Sequence, residues 1–133
     1  MVKQVTIFTR ETENLLIKFG LAEDKITSLS GGNQQKLLIA KTMLSAPQIM
    51  IIDEPTRGID VGSKSAIHNL IRALAAEGYA VIVISSEMPE VLHVSDRIVA
   101  MYGGRVMRTF TSDEVTEDNL IQAISGITPG QAA

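Results

Sequence analysis

LSGGNQQK at residues 29–36 and IMIIDEPTRGID at residues 49–60 are the two stretches that decide how this chain folds. The second opens on Ile49, Met50, Ile51 and Ile52, apolar at every position, as expected of a strand covered on both faces of a parallel sheet. Asp53 and Glu54 follow at the strand's carboxyl end, where open α/β sheets hold their ligands. An aspartate there can hold Mg²⁺ directly or through water, and the glutamate beside it can orient or deprotonate an attacking water. A helix cap or a surface turn accounts for the same pair without chemistry. Pro55 then forces the chain out of the sheet, and Thr56 to Asp60 read as a loop.

In the first stretch Gly31 and Gly32 open a predicted helix from Asn33 to about Ser45, carrying Leu37, Leu38, Ala40, Lys41 and Leu44, with Pro47 as its stop. Ser30 stands near the N-cap. The amides of Gly31, Gly32 and Asn33 are then left pointing outward along the positive end of the helix dipole. Such an end binds anions, and two glycines let a phosphate approach the backbone closely, each charge-assisted hydrogen bond contributing roughly 1.5–3 kcal/mol. An ordinary loop and cap remains the alternative. Together the two stretches point to nucleotide chemistry. Nowhere in the 133 residues is there a G-x-x-x-x-G-K-[ST] phosphate loop.

Outward from these stretches, the period of apolar residues predicts a helix over Ser63 to Glu77 with Ile67, Leu70, Ile71 and Leu74 on one face and Gly78 at its end. His68 lies off that face and reads as a solvated surface residue. Ala80 to Ile84 is a second all-apolar strand, ending in Ser85, Ser86 and Glu87, so that strand, helix and strand form a βαβ unit. Pro89 starts a short helix through His93. Gly103-Gly104 joins two strands, Arg97 to Tyr102 and Arg105 to Phe110, into a hairpin. Thr116 caps a last helix to about Ser125, with Leu120, Ile121 and Ile124 inward and Gly126 beyond it. Before residue 29, Thr9 to Phe19 reads as an amphipathic helix ended by Gly20, and Thr128 to Ala133 as a frayed tail. The fold class is α/β, a partial parallel sheet flanked by helices with a C-terminal hairpin and helix.

Composition narrows the function classes. A net charge of -3, with 12 Lys and Arg scattered among 15 Asp and Glu, supplies no basic field for nucleic acid. There is no cysteine for a disulfide or a thiolate metal site. No apolar run approaches the ~20 residues that span a bilayer, and a soluble, cytosolic chain is expected.

LSGGNQQK, IMIIDEPT, RGID and VIVISSEMPEV, in this order and spacing, resemble the ATP-binding cassette family, whose fold is of the P-loop NTPase type. The wording of EPTRGIDVGSK and SSEMPE is most similar to the second nucleotide-binding domain of ATPase subunits of bacterial sugar importers of the ribose, galactose and xylose type. The resemblance covers residues 29–126 well, as the C-terminal portion of such a domain, with residues 1–28 an N-terminal helical segment and 127–133 a tail. It implies that Ser30, Gly31, Gly32 and Asn33 form the signature motif, which presses on the γ-phosphate of ATP bound to the opposite domain. It makes Asp53 the carboxylate serving Mg²⁺ and Glu54 the one polarising the hydrolytic water. Arg57, Gly58, Ile59 and Asp60 become the loop that crosses the domain interface. Ser86 takes the place of the family's switch histidine; being shorter and uncharged, it implies slow turnover at the site containing Glu54.

ATP and Mg²⁺ are accordingly expected only in a site completed by another nucleotide-binding domain carrying a phosphate loop. Membrane permease subunits are the other implied partners, with the chain peripheral to the cytoplasmic face of the membrane. A sheet lacking the phosphate-loop strand presents an apolar edge beside Ile49 to Asp53 or Ala80 to Ile84, so self-association is expected as well. The competing expectation is a non-catalytic remnant or regulatory fragment that docks on a partner ATPase.

Overall fold

The computed structural model describes residues 29–127. The helix expected over Thr9 to Phe19, the segment before it and the tail from Thr128 lie outside the described residues. The described residues divide into two compact units, one running up to Ile84 and the other starting at Ser85.

The first unit contains helix α1 (Gly31–Met43), strand β1 (Ile49–Asp53), helix α2 (Val61–Ala76) and strand β2 (Ala80–Ile84). The strands pair in parallel, Ile49 opposite Ala80 through to Asp53 opposite Ile84, as the βαβ pattern requires. Ile67, Ile71 and Leu74 bury one side of α2, and Leu70 beside them is half-buried. Beyond Ala76 the amides of Gly78 and Tyr79 return to the carbonyls of Ala75 and Leu74 at 3.0 and 3.2 Å. This paired closure needs a left-handed residue, and Gly78 takes φ +99°.

Four sequence expectations are corrected in this unit. β1 is covered on one face only: Met50 and Ile52 are 2% and 8% exposed, whereas Ile49 and Ile51 are 60% and 67% exposed. Among the described residues the sheet has two strands, and in their register Ile49, Ile51, Ile82 and Ile84 share the open face. An unbroken apolar run cannot report that only one side is covered. Helix α1 begins at Gly31 rather than Asn33, which places both glycines inside its first turn. Helix α2 begins at Val61 rather than Ser63, because the Asp60 carboxylate caps it by accepting the Ser63 amide at 2.9 Å. His68 is half-buried and engaged rather than solvated.

The second unit contains helix α3 (Met88–Val94), strands β3 (Arg97–Tyr102) and β4 (Arg105–Thr111), and helix α4 (Glu117–Ile124). Gly103 and Gly104, at φ +55° and +75°, make the two-residue turn of the antiparallel hairpin. Its core is Ile98, Ala100, Phe110, Leu120 and Ala123. Ala123 therefore stands where Ile121 and Ile124 were expected; both of these are exposed, since a helix of eight residues turns only a narrow stripe to its hairpin. Thr116 and Asn119 exchange hydrogen bonds of 2.9 and 3.2 Å as a capping box at the start of α4.

Candidate functional site

Two helix N-termini meet in the first unit. In α1, Ser30 occupies the N-cap position with extended backbone, and its carbonyl accepts the Gln34 amide at 2.9 Å. Its hydroxyl makes no capping hydrogen bond, contrary to the simplest reading of Ser-Gly-Gly. The first turn of α1 also carries no acidic side chain. Nothing in the helix itself therefore offsets the partial positive charge of its N-terminus. Ser30 and Gly31 are exposed and Asn33 is half-buried, so an anion approaching this end meets the serine hydroxyl and backbone amides.

The neighbouring end, that of α2, is already neutralised by Asp60. Hydrogen bonds from the hydroxyl and amide of Ser63 hold the Asp60 carboxyl below its ordinary value of 3.8. Because the folded pKa is depressed, the stabilisation is fully present above about 3.8 and is lost as the pH falls through that value toward the lower folded one. Urea midpoints measured across this window for the native chain and Asp60→Asn, which retains a capping oxygen, are expected to converge as the pH is lowered. A constant difference would place the carboxylate's contribution elsewhere.

Gly31 and Gly32 play different parts. A Cβ on Gly31 would have Ile59 Cγ1 at 3.8 Å and the Gly58 carbonyl at 4.0 Å, ordinary contact distances. Gly32 is buried, and a Cβ there would fall 2.7 Å from Ser63 Cβ and 2.9 Å from Ser63 Oγ. The residues expected to meet a phosphate and those expected to cross an interface thus pack on one another: Gly31 on Gly58 and Ile59, Gly32 on Ser63 in the turn that Asp60 caps.

Asp53 and Glu54 lie at the end of β1, the first exposed and the second half-buried. Glu54 continues the strand ladder by donating its amide to the Ile84 carbonyl at 2.8 Å, and its own carbonyl accepts the Arg57 amide at 3.2 Å. Between these bonds its backbone takes φ +47°. A non-glycine residue in this left-handed region costs roughly 1–3 kcal/mol, and such strain is concentrated at functional positions. The turn is secured behind it by Pro55 and Thr56, both fully buried, and by the Ile59 amide donating to the Thr56 carbonyl at 3.2 Å.

Asp53 is a single carboxylate: among the described residues no three His, Cys, Asp or Glu are gathered as a metal cage. That donor set fits Mg²⁺ held mainly by phosphate oxygens and water with one protein carboxylate, the usual arrangement for this ion. Ser86 belongs to the second unit, exposed, two residues past the end of β2. The neighbouring Ser85 hydroxyl accepts the Glu87 amide at 3.0 Å. The contacts of Ser63 with Gly32 and Asp60 were not legible in the sequence, where it is only a small polar residue at the start of a helix.

Known proteins resemble this chain in sequence and in fold. The family model described as "ABC transporter" matches residues 3–57. The ribose import ATP-binding protein RbsA 2 of Streptomyces avermitilis is 46% identical over 84% of this chain and 22% of its own length. The ribose import ATP-binding protein RbsA of Rhodococcus jostii is 47% identical over 86% of this chain and 23% of its own. The chain therefore spans less than a quarter of the length of these curated relatives. Among solved structures, an ATP-binding cassette of an ABC transporter superposes with a TM-score of 0.79 at 24% identity, covering 96% of this chain and 51% of that one. A bacterial ABC transporter cassette solved as a dimer gives 0.69 at 25% identity, over 80% and 46%. With this sequence similarity and this parallel α/β fold, the chain belongs to the ATP-binding cassette family, matching about half the length of a solved cassette.

Proposed function

We propose that this chain contributes to ATP hydrolysis in a sugar importer, supplying a signature motif and a pair of strand-end carboxylates to two different nucleotide sites. The observation that carries the reading is the uncapped, acid-free N-terminus of α1 at Ser30 and Gly31, beside a second helix end already neutralised by Asp60. One of two adjacent positive ends is left for an external anion. In this reading Ser30, Gly31 and the half-buried Asn33 meet the terminal phosphate of ATP carried by another cassette. Asp53 holds Mg²⁺, and Glu54, fixed by its left-handed backbone, orients the water that attacks the phosphoryl group. Nucleotide and metal supply the transferred group and the charge that neutralises it, while the protein contributes position and electrostatics.

No G-x-x-x-x-G-K-[ST] sequence occurs in these residues, so the phosphate loops come from another segment of polypeptide. The named relatives import ribose, and a monosaccharide importer with permease subunits in the membrane is the corresponding setting. Among the described residues no helix is long and apolar enough to cross a membrane. Residues 29–126 act here as the C-terminal portion of the nucleotide-binding domain.

The test exploits the room at Gly31. An aspartate there has space for its Cβ and is favourable at a helix start, so the fold is retained while the added charge repels phosphate. In size-exclusion measurements with Mg²⁺ and ATP, the native chain is expected to associate with a phosphate-loop-bearing cassette, and Gly31→Asp is expected to lose that association. Equal association by both chains would contradict the reading.

A further inference from the structure

Ser63 touches the two parts of the proposed interface at once. Its Cβ and Oγ occupy the space that a side chain at position 32 would need, so α1 approaches α2 through a glycine on one side and this serine on the other. Its amide donates to Asp60 Oδ1 at 2.9 Å, and its hydroxyl is also hydrogen-bonded to the Asp60 carboxylate. Rotating the serine moves only the hydroxyl. The Cβ is fixed to the backbone of α2, so the closeness of the two helix ends is set by residue size and not by rotamer.

We propose that Ser63 is a positioning residue that locks the Ser30–Asn33 turn to the Arg57–Asp60 loop, so that both are presented to the opposite cassette as one rigid element. The proposal rests on reading Ser30 to Asn33 as the signature motif. A cavity at position 63 lets the open end of α1 shift relative to Asp60. A displacement of about 1 Å in a group that meets the transition state is enough to cost about 10²-fold in rate. Ser63 itself touches no nucleotide in this arrangement; it acts through Gly32 and Asp60.

The experiment is a double-mutant cycle on the full chain assembled with a cassette that supplies phosphate loops. Steady-state kcat and KM for ATP are normalised to the folded fraction for the native chain, Gly32→Ala, Ser63→Gly, the double variant, and Ser63→Ala. Ser63→Gly is expected to lower kcat roughly 10- to 100-fold with KM unchanged, because nucleotide affinity resides mainly in the phosphate-loop chain. Ser63→Ala, which keeps the Cβ against Gly32, is expected to recover most of that loss. Gly32→Ala is expected to cost far less in the Ser63→Gly background, where its methyl group has room. An unchanged kcat in Ser63→Gly, or equal costs of Gly32→Ala in both backgrounds, overturns the positioning role while leaving the proposed function intact. Absence of turnover in the native assembly overturns the signature reading and this inference with it.

Discussion

Glu54→Gln in a complex completed by phosphate loops is expected to lower ATP turnover by about 10²–10⁴-fold, the usual contribution of a positioned general base. The substitution removes charge at nearly constant volume. It leaves untouched the backbone bonds that place residue 54, its amide on Ile84 at 2.8 Å and its carbonyl receiving Arg57 at 3.2 Å. Folding, followed by chemical denaturation, is therefore expected to change little while kcat falls. If turnover in the complex stays at the native level, Glu54 is not the residue that activates water. The chain then acts as a non-catalytic fragment docked on a partner ATPase.

Gly32→Ala is expected to destabilise the first unit by about 1–3 kcal/mol, the range for forcing a methyl group into a packed contact. The cause is the 2.7 Å approach to Ser63 Cβ, which no rotamer change relieves. Gly31→Ala is the matched control: its nearest neighbours stand at 3.8 and 4.0 Å, and alanine is the better helix former. Urea unfolding of the three chains checks this directly, with Gly31→Ala expected at or above the native midpoint. Equal midpoints for native and Gly32→Ala would mean that the helices separate at little cost. The consequence for function is practical. In the proposed arrangement, loss of a partner's ATP turnover in a Gly32 variant reports helix packing together with phosphate contact, whereas charge at Gly31 reports phosphate contact alone.

The difference between the two glycines also marks where sequence reading stopped. Gly78 and Gly126 were legible as helix ends because a left-handed closing residue follows directly from local backbone rules; Gly126 takes φ +75° and its amide and that of Ile127 return to Ala123 and Gln122. The Gly103-Gly104 turn and the Thr116 cap were legible for the same local reason. Gly32 is set by Ser63, a residue on another helix, and no local pattern carries that constraint. Glu54 is a further case. A residue preceding proline is expected to be extended, yet φ is +47°, imposed by the bond to Ile84 on the adjacent strand and by the turn closing on Arg57. The open face of β1 was hidden for a different reason: four consecutive apolar residues specify strand and burial, not the number of faces that are covered. Asp53 and Glu54, in contrast, were placed correctly at the strand end by the strand's own boundary.

The strand-end carboxylates and the open end of α1 are proposed to serve different nucleotides, each site being completed by phosphate loops from another segment of polypeptide. The most direct measurement is steady-state ATP hydrolysis by the 133-residue chain, alone and with a cassette that carries phosphate loops. No hydrolysis by the chain alone and turnover of about 1–100 s⁻¹ in the mixture is the predicted result. Turnover in that range by the isolated chain, or none in the mixture, would contradict it.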